Sequence, residues 1–175
     1  LKIVPLNDRY SIINVSGEDS EAFLHSQLTS DVEKMEALTV APTAYCSIKG
    51  RIIATAYICK ISNDGQYLLV APNSIANQFI DKLQRYLLRA EVLIENISSG
   101  YVLEGIIEEN TPHQFENIVD IDEIKLFAVH QEGKNLFLRL PNQRILIIRP
   151  KKDLDSPIIN IKNQLIDKTH VDQWI

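Results

Sequence analysis

The sequence predicts an α+β fold with antiparallel sheets, and three observations lead there. Short runs rich in Val, Ile, Tyr and Thr recur along the chain, each closed by Gly, Pro, Asn or Asp. One longer stretch, NSIANQFIDKLQRYLLR (residues 73–89), places Ile75, Phe79, Leu83 and Leu87 every four residues, the spacing of an apolar helix stripe. After SSG (98–100) the order of strand, helix, three strands and helix begins again, without a residue-level repeat.

Taken in order, RYSIINVS (9–16) is a strand of apolar and β-branched residues ending on Ser-Gly. Ser16 and Asp19 form an S-x-x-D capping signal for a short helix in SEAFLHSQL. LTVAPTAYC and RIIATAYICKI are strands joined by SIKG, a polar tetrapeptide with the glycine a hairpin turn wants. The second continues through SNDG, where Asp64-Gly65 supplies turn chemistry, into QYLLVA, giving a three-stranded meander. In the long helix Ala76 and Ile80 widen the stripe, and Asn73 or Ser74 caps the start. AEVLIEN returns as a strand.

In the second half YVLEGIIEE is a strand and TPHQFENIV a short helix. IKLFAVH, NLFLRL and RILIIR are three further strands, with turns at Gly133 and at Pro141-Asn142. DSPIINIKNQLI opens a helix, with Ser156 at the N-cap and Pro157 at the first helical position. The expected organisation is one domain over 1–175 with pseudo-halves at about 1–97 and 98–175.

Composition bounds the function classes. A chain of 175 residues, 45% hydrophobic and 23% charged, has the make-up of a soluble globular protein that needs no disulfide or metal staple. No apolar run approaches the ~18 residues of a membrane span, and LKIVPLNDRY is not a secretory signal. Cys46 and Cys59 are therefore expected as free thiols in the cytoplasm. A net charge of −5 argues against bulk nucleic-acid binding, though a local basic groove stays compatible with it.

Candidate chemistry is sparse. His25, His113, His130 and His170 have no partner at metal-ligand spacing, so no metal is expected. No Gly-x-Ser-x-Gly, catalytic triad or phosphate loop can be assembled, and no catalytic residue is assigned. Lys49 and Arg51 flank the glycine of IKGRI, either as a solvated turn or as an anion grip. Lys82, Arg85 and Arg89 share a helical stripe, with Asp81 four before Arg85. That stripe is a solvated face, or a cationic rim for an anionic ligand tail or RNA. Tyr10 and Trp174 sit near opposite chain ends. Both suit a buried core, and both suit stacking on a flat heteroaromatic ligand such as a pterin; periodicity does not separate the two.

Four segments, in order, resemble the YgfZ family, relatives of the glycine-cleavage T-protein. VSGEDSEAFLHSQLTSDV (15–32) is similar to the family's S-G-x-D-A/S, aromatic, Q-x-T-x-D-V pattern. YCSIKGRI is similar to its Cys/Leu-Asp-x-Lys-Gly-Arg hairpin, LQRYLLRAEVLI to its helix-to-strand junction, and DQWI to the Q-W stretch that opens its next segment. Together they span nearly the whole chain. The family's K-G-C-Y-x-G-Q-E motif and its C-terminal β-barrel are absent from these residues, which makes the chain an expected N-terminal piece.

The resemblance implies a folate-binding, aminomethyltransferase-like domain of two intertwined halves. It implies tetrahydrofolate as ligand and support of iron–sulfur enzymes, including one that methylthiolates tRNA. Its two folate-associated aromatic positions fall on Trp174 and on Tyr10, where the bacterial pattern has Trp. Arg51 and Arg85 are the candidate contacts for the folate glutamate tail. T-protein relatives carry an Asp just after the hairpin glycines. Here that stretch is Ile52-Ile53-Ala54-Thr55, so a binding module is favoured over an aminomethyltransferase. A scaffold with a degenerate folate cavity is the third possibility.

Overall fold

The computed structural model describes residues 2–107, 124–142 and 144–154. They divide into two compact units, Arg9–Ser99 in one and Leu1–Asp8 with the chain from Gly100 onward in the other. The first strand, β1 (Lys2–Pro5), which the sequence did not betray, therefore belongs with the later residues.

In the Arg9–Ser99 unit the strands are β2 (Tyr10–Ser16), β3 (Thr39–Cys46), β4 (Ile52–Lys60), β5 (Gln66–Pro72) and β6 (Leu93–Asn96). All pairs are antiparallel, in the order β3-β4-β5-β2-β6. The expected meander is β3-β4-β5. Helices α1 (Ser20–Gln27) and α2 (Asn73–Gln84) accompany this sheet. Strand residues alternate between faces. Ile13 and Val15 of β2, Tyr67, Leu69 and Ala71 of β5, and Ala54, Ala56 and Ile58 of β4 form one buried cluster with Phe23 and Leu24 of α1 and Phe79 and Leu83 of α2. That alternation defines a helix-bearing face. Each fully buried large side chain there stabilises the unit by about 1.5–3 kcal/mol.

The other unit contains β7 (Tyr101–Ile107), β8 (Val129–Glu132), β9 (Asn135–Leu140) and β10 (Arg144–Pro150), in the order β8-β9-β10-β7-β1. Both sheets thus run meander, opening strand, edge strand. In one the edge is β6, which follows α2; in the other it is β1, from the start of the chain. The fold class is α+β with two antiparallel sheets, as expected.

Several local expectations are corrected. Ser16 ends β2 and does not cap α1. Asp19 occupies the N-cap, but its carboxylate accepts the Glu91 N–H at 2.8 Å. Asn73 lies inside α2 and accepts a hydrogen bond from the Ser11 hydroxyl, so neither it nor Ser74 caps the helix. Helix α2 stops at Gln84, because the next residues close tight turns (Tyr86 N–H to Leu83 O, 3.0 Å) and Leu88 takes φ of 47°. Leu87 and Arg89 are thereby outside it. AEVLIEN is a strand only from Leu93, and IKLFAVH only from Val129, since Ala128 N–H closes a turn on Lys125 O and Phe127 has φ of 64°. TPHQFENIV and DSPIINIKNQLI lie outside the described residues.

A charged pair is built into this largely apolar face. Lys60, 6% exposed, donates to Glu21 of α1 at 2.5 Å, and the fully buried Tyr67 hydroxyl donates to the same oxygen at 2.6 Å. The Lys60 hydrogen bond first, then that of Tyr67, holds the Glu21 carboxyl below its ordinary value. Its unfolded form binds the proton more readily. The stabilisation is therefore complete above the ordinary Glu range (about 4.3) and lost as pH falls through the lower folded value. Glu21→Gln is expected to lower stability by about 1–2 kcal/mol at neutral pH, because buried Lys60 loses its counter-ion and the Tyr67 hydroxyl its charged acceptor, while the exposed side of Glu21 limits the effect. Urea unfolding at neutral and acid pH checks this, and the gap between the two proteins should shrink on acidification. A gap that is constant with pH would contradict it. Among the described residues no helix is long and apolar enough to cross a membrane.

Candidate functional site

An open cleft of about 770 Å³ lies on the helix-bearing face of the Arg9–Ser99 unit. Ser26 and Gln27 from the end of α1 form one side, and Lys82 from the last turn of α2, with Tyr86 just beyond it, forms another. The β3–β4 hairpin supplies the rest: Tyr45 and Cys46 at the end of β3, Lys49 and Arg51 in the turn, Ile52 and Ile53 at the start of β4.

Each part is placed by a local cause. The hairpin closes through Gly50 N–H to Ser47 O and Ser47 N–H to Arg51 O, both 2.8 Å, and the Ser47 hydroxyl accepts the Arg51 N–H at 3.2 Å. A register shift between Tyr45 and Cys46 re-aims the strand just before the turn. Tyr45 points to the helices, and its ring lies 5.7 Å from that of Phe79 at 46°. It is 6% exposed, so it forms the floor. Burial first, and then the adjacent Tyr86, holds the Tyr45 phenol above its ordinary value, with Arg85 acting in the opposite direction. Lys82 sits where the last turn of α2 presents carbonyls, a favourable place for a cation.

Electrostatically the cleft is one-sided. Lys49, Arg51 and Lys82 line it, and its lining includes no Asp or Glu. Among the described residues none of these three cations is in an ion pair. The rim is also apolar: Ile48 is 100% exposed, Ile52 66% and Tyr86 49%. Cys46 is free and half-buried, whereas Cys59 is buried and desolvation pushes its thiol far up, which leaves it inert.

The candidate residues named from sequence distribute as follows. Arg51 lines the cleft, and Arg85 stands beside it, close enough for its charge to act on Tyr45. Tyr10 opens β2 opposite Pro72 and is half-buried. Ser11, Ile13 and Val15 alternate with it, and Ile13 and Val15 face the helices, so Tyr10 belongs to the opposite face from the cleft. Trp174 lies outside the described residues. The structure thus places Arg51 in the cleft and Arg85 near its Tyr45 floor, on the opposite face of the sheet from Tyr10. Sequence reasoning missed Tyr45, Tyr86 and Gln27. Tyr45 alternates like any core residue and Tyr86 follows the helix stripe, so nothing in periodicity marked them. The two basic clusters were visible as clusters, but not as neighbours. Ile52 and Ile53, just after the hairpin glycine, line the cleft, and Ala54 is buried in the core.

No family model matches the sequence. The chain is 22% identical over 170 residues, 96% of its length and 51% of the relative's, to the tRNA-modifying protein YgfZ of Blochmanniella pennsylvanica. It is 25% identical over 151 residues to the protein of the same name from Buchnera aphidicola, covering 85% of this chain and 46% of that one. An uncharacterised protein of Haemophilus influenzae is 33% identical over 124 residues, 70% of this chain and 43% of that one. The chain therefore spans about half the length of the curated relatives it matches. Among solved structures it is similar to glycine cleavage system aminomethyltransferase T from Bartonella henselae, with a TM-score of 0.72 and 12% identity over 91% of this chain and 45% of that one. A heterotetrameric sarcosine oxidase from Corynebacterium matches with a TM-score of 0.56 and 11% identity over 89% of this chain and 78% of that one. These two likenesses establish the fold.

Proposed function

We propose, for a YgfZ-like chain with the aminomethyltransferase T fold, that it is the folate-holding part of a cytoplasmic factor supporting iron–sulfur enzymes, among them one that modifies tRNA. Tetrahydrofolate is its ligand. Tyr10 and Trp174 supply the ring faces for the pterin, which stacks on flat aromatic surfaces. The observation that carries this is Tyr10 itself. It is half-buried at the start of β2 and belongs to the face that carries neither α1 nor α2, outside the helix-packed cluster. The glutamate-tail role expected of Arg51 and Arg85 is not carried into this reading, because Arg51 lines a cleft on the opposite face of the sheet from Tyr10 and Arg85 stands beside that cleft.

A binding role fits the side chains better than group transfer. A T-protein reaction needs a carboxylate beside the folate amine, and Ile52, Ile53, Ala54 and Thr55 provide none. Titrating the protein with tetrahydrofolate and following fluorescence of its single tryptophan tests the reading. A saturable change is expected, weakened about tenfold by Tyr10→Ala and little by Tyr10→Phe. A folded protein without a saturable response would overturn it. Turnover of an aminomethyl carrier would instead restore the transferase.

A further inference from the structure

We infer that the Tyr45–Tyr86 cleft is a binding site for single-stranded RNA, with Lys49, Arg51 and Lys82 meeting phosphates and Tyr86 offering a stacking face to a base. The cleft joins two basic clusters from distant parts of the chain, the β3–β4 turn and the end of α2, on one surface. Its three lining cations face no carboxylate in the lining and enter no ion pair among the described residues. In a chain of net charge −5, such a local excess is the reverse of the average surface and calls for an anionic partner.

Phosphodiester fits this anion better than an isolated carboxylate or a lipid headgroup. The concavity is open, about 770 Å³, and runs between a hairpin and two helix ends, so a strand can pass along it. Tyr86 is 49% exposed and sits beside Lys82, the pairing of ring face and cation that holds successive nucleotides without sequence preference. Gln27, Ser26 and Ser47 add donors and acceptors for base edges and ribose hydroxyls. Exposed Ile48 and Ile52 lie where sugar and base surfaces would cover them. The choice of RNA over other phosphodiesters rests on the tRNA-related part of the proposed function; the polyanion site itself rests only on the cleft.

The test is fluorescence anisotropy of a labelled oligouridylate of about 12 nucleotides with the intact protein. At ~50 mM salt the dissociation constant is expected on the order of 10 μM, weakening roughly twentyfold by ~200 mM, as three phosphate contacts on a single strand require. Lys82→Ala should weaken binding about fivefold and lower the salt slope by about 0.7. Arg51→Glu should weaken it further, and Tyr86→Ala by about tenfold with Tyr86→Phe near wild type. Circular dichroism verifies that each variant is folded. Absence of binding at low salt, affinities unmoved by Lys82→Ala, Arg51→Glu and Tyr86→Ala, or equally good competition by a polyglutamate peptide would each overturn the site. Preference for the same oligonucleotide in DNA form would overturn the choice of RNA. Lys82→Ala is expected to leave the tetrahydrofolate titration unchanged, so a failed folate reading and a failed RNA reading give separate signatures.

Discussion

Gly17→Ala is expected to lower the unfolding free energy by about 3 kcal/mol or more, among the largest effects of any single methyl in the chain. Gly17 directly follows β2 and has φ of 132°, a region that side chains rarely enter. Space is the larger problem. A Cβ there would lie 2.0 Å from the Glu91 carbonyl oxygen, which is backbone and not a flexible side-chain tip. The surroundings are also tied. Gly17 O accepts the Ser20 N–H at 3.1 Å, Ser20 donates to Gly65 O at 2.7 Å, and Asp19 holds the Glu91 N–H. Relief therefore means moving the start of α1 and the approach to β6 together. Gly50→Ala is the control. Its φ of 73° also disfavours alanine, but nothing lies within 4 Å, so a loss of only about 1 kcal/mol is expected. Urea unfolding monitored by circular dichroism separates the two through their midpoints at constant slope. Equal losses would mean that backbone conformation, not the Glu91 contact, sets the effect.

Phe79→Ala should cost about 3–5 kcal/mol, by lost burial and by the cavity left behind. Phe79 is 1% exposed in the centre of the helix-bearing face, and its ring supports Tyr45. The same substitution therefore reaches the cleft. With its support gone, the Tyr45 floor loosens, and oligonucleotide affinity should fall even under conditions where the variant is still folded. Phe79→Leu preserves most of the volume and is expected to lose under ~1.5 kcal/mol. Thermal unfolding together with anisotropy on both variants checks the link. Normal binding by folded Phe79→Ala would detach the cleft from the core beneath it.

The two effects differ in how readable they were. Phe79 stands in the four-residue stripe of α2, and a helix that buries one face must advertise it in this way. Gly17 showed only as a turn residue after RYSIINVS; its contact with Glu91 joins segments far apart in the chain, and no local pattern encodes it. The caps failed for a related reason. Ser16, Asp19 and Asn73 are cap-forming residue types, but Asp19 and Asn73 found partners elsewhere, in Glu91 and Ser11, that no local rule contains.

By itself the sequence determined the α+β class, the β3–β4–β5 meander with its glycine turn, the amphipathic α2 and the resemblance carried by its hairpin and Ser-Gly segments. These are properties of neighbours along the chain, where period and turn chemistry act directly. Tertiary structure alone decided that β1 pairs with β7, that the two sheets share one strand order, and that Arg51 joins Lys82 while Tyr10 faces the other way. Strand pairing and face assignment depend on which distant segments satisfy each other's backbone groups and apolar surface, and one-dimensional spacing carries no record of that choice.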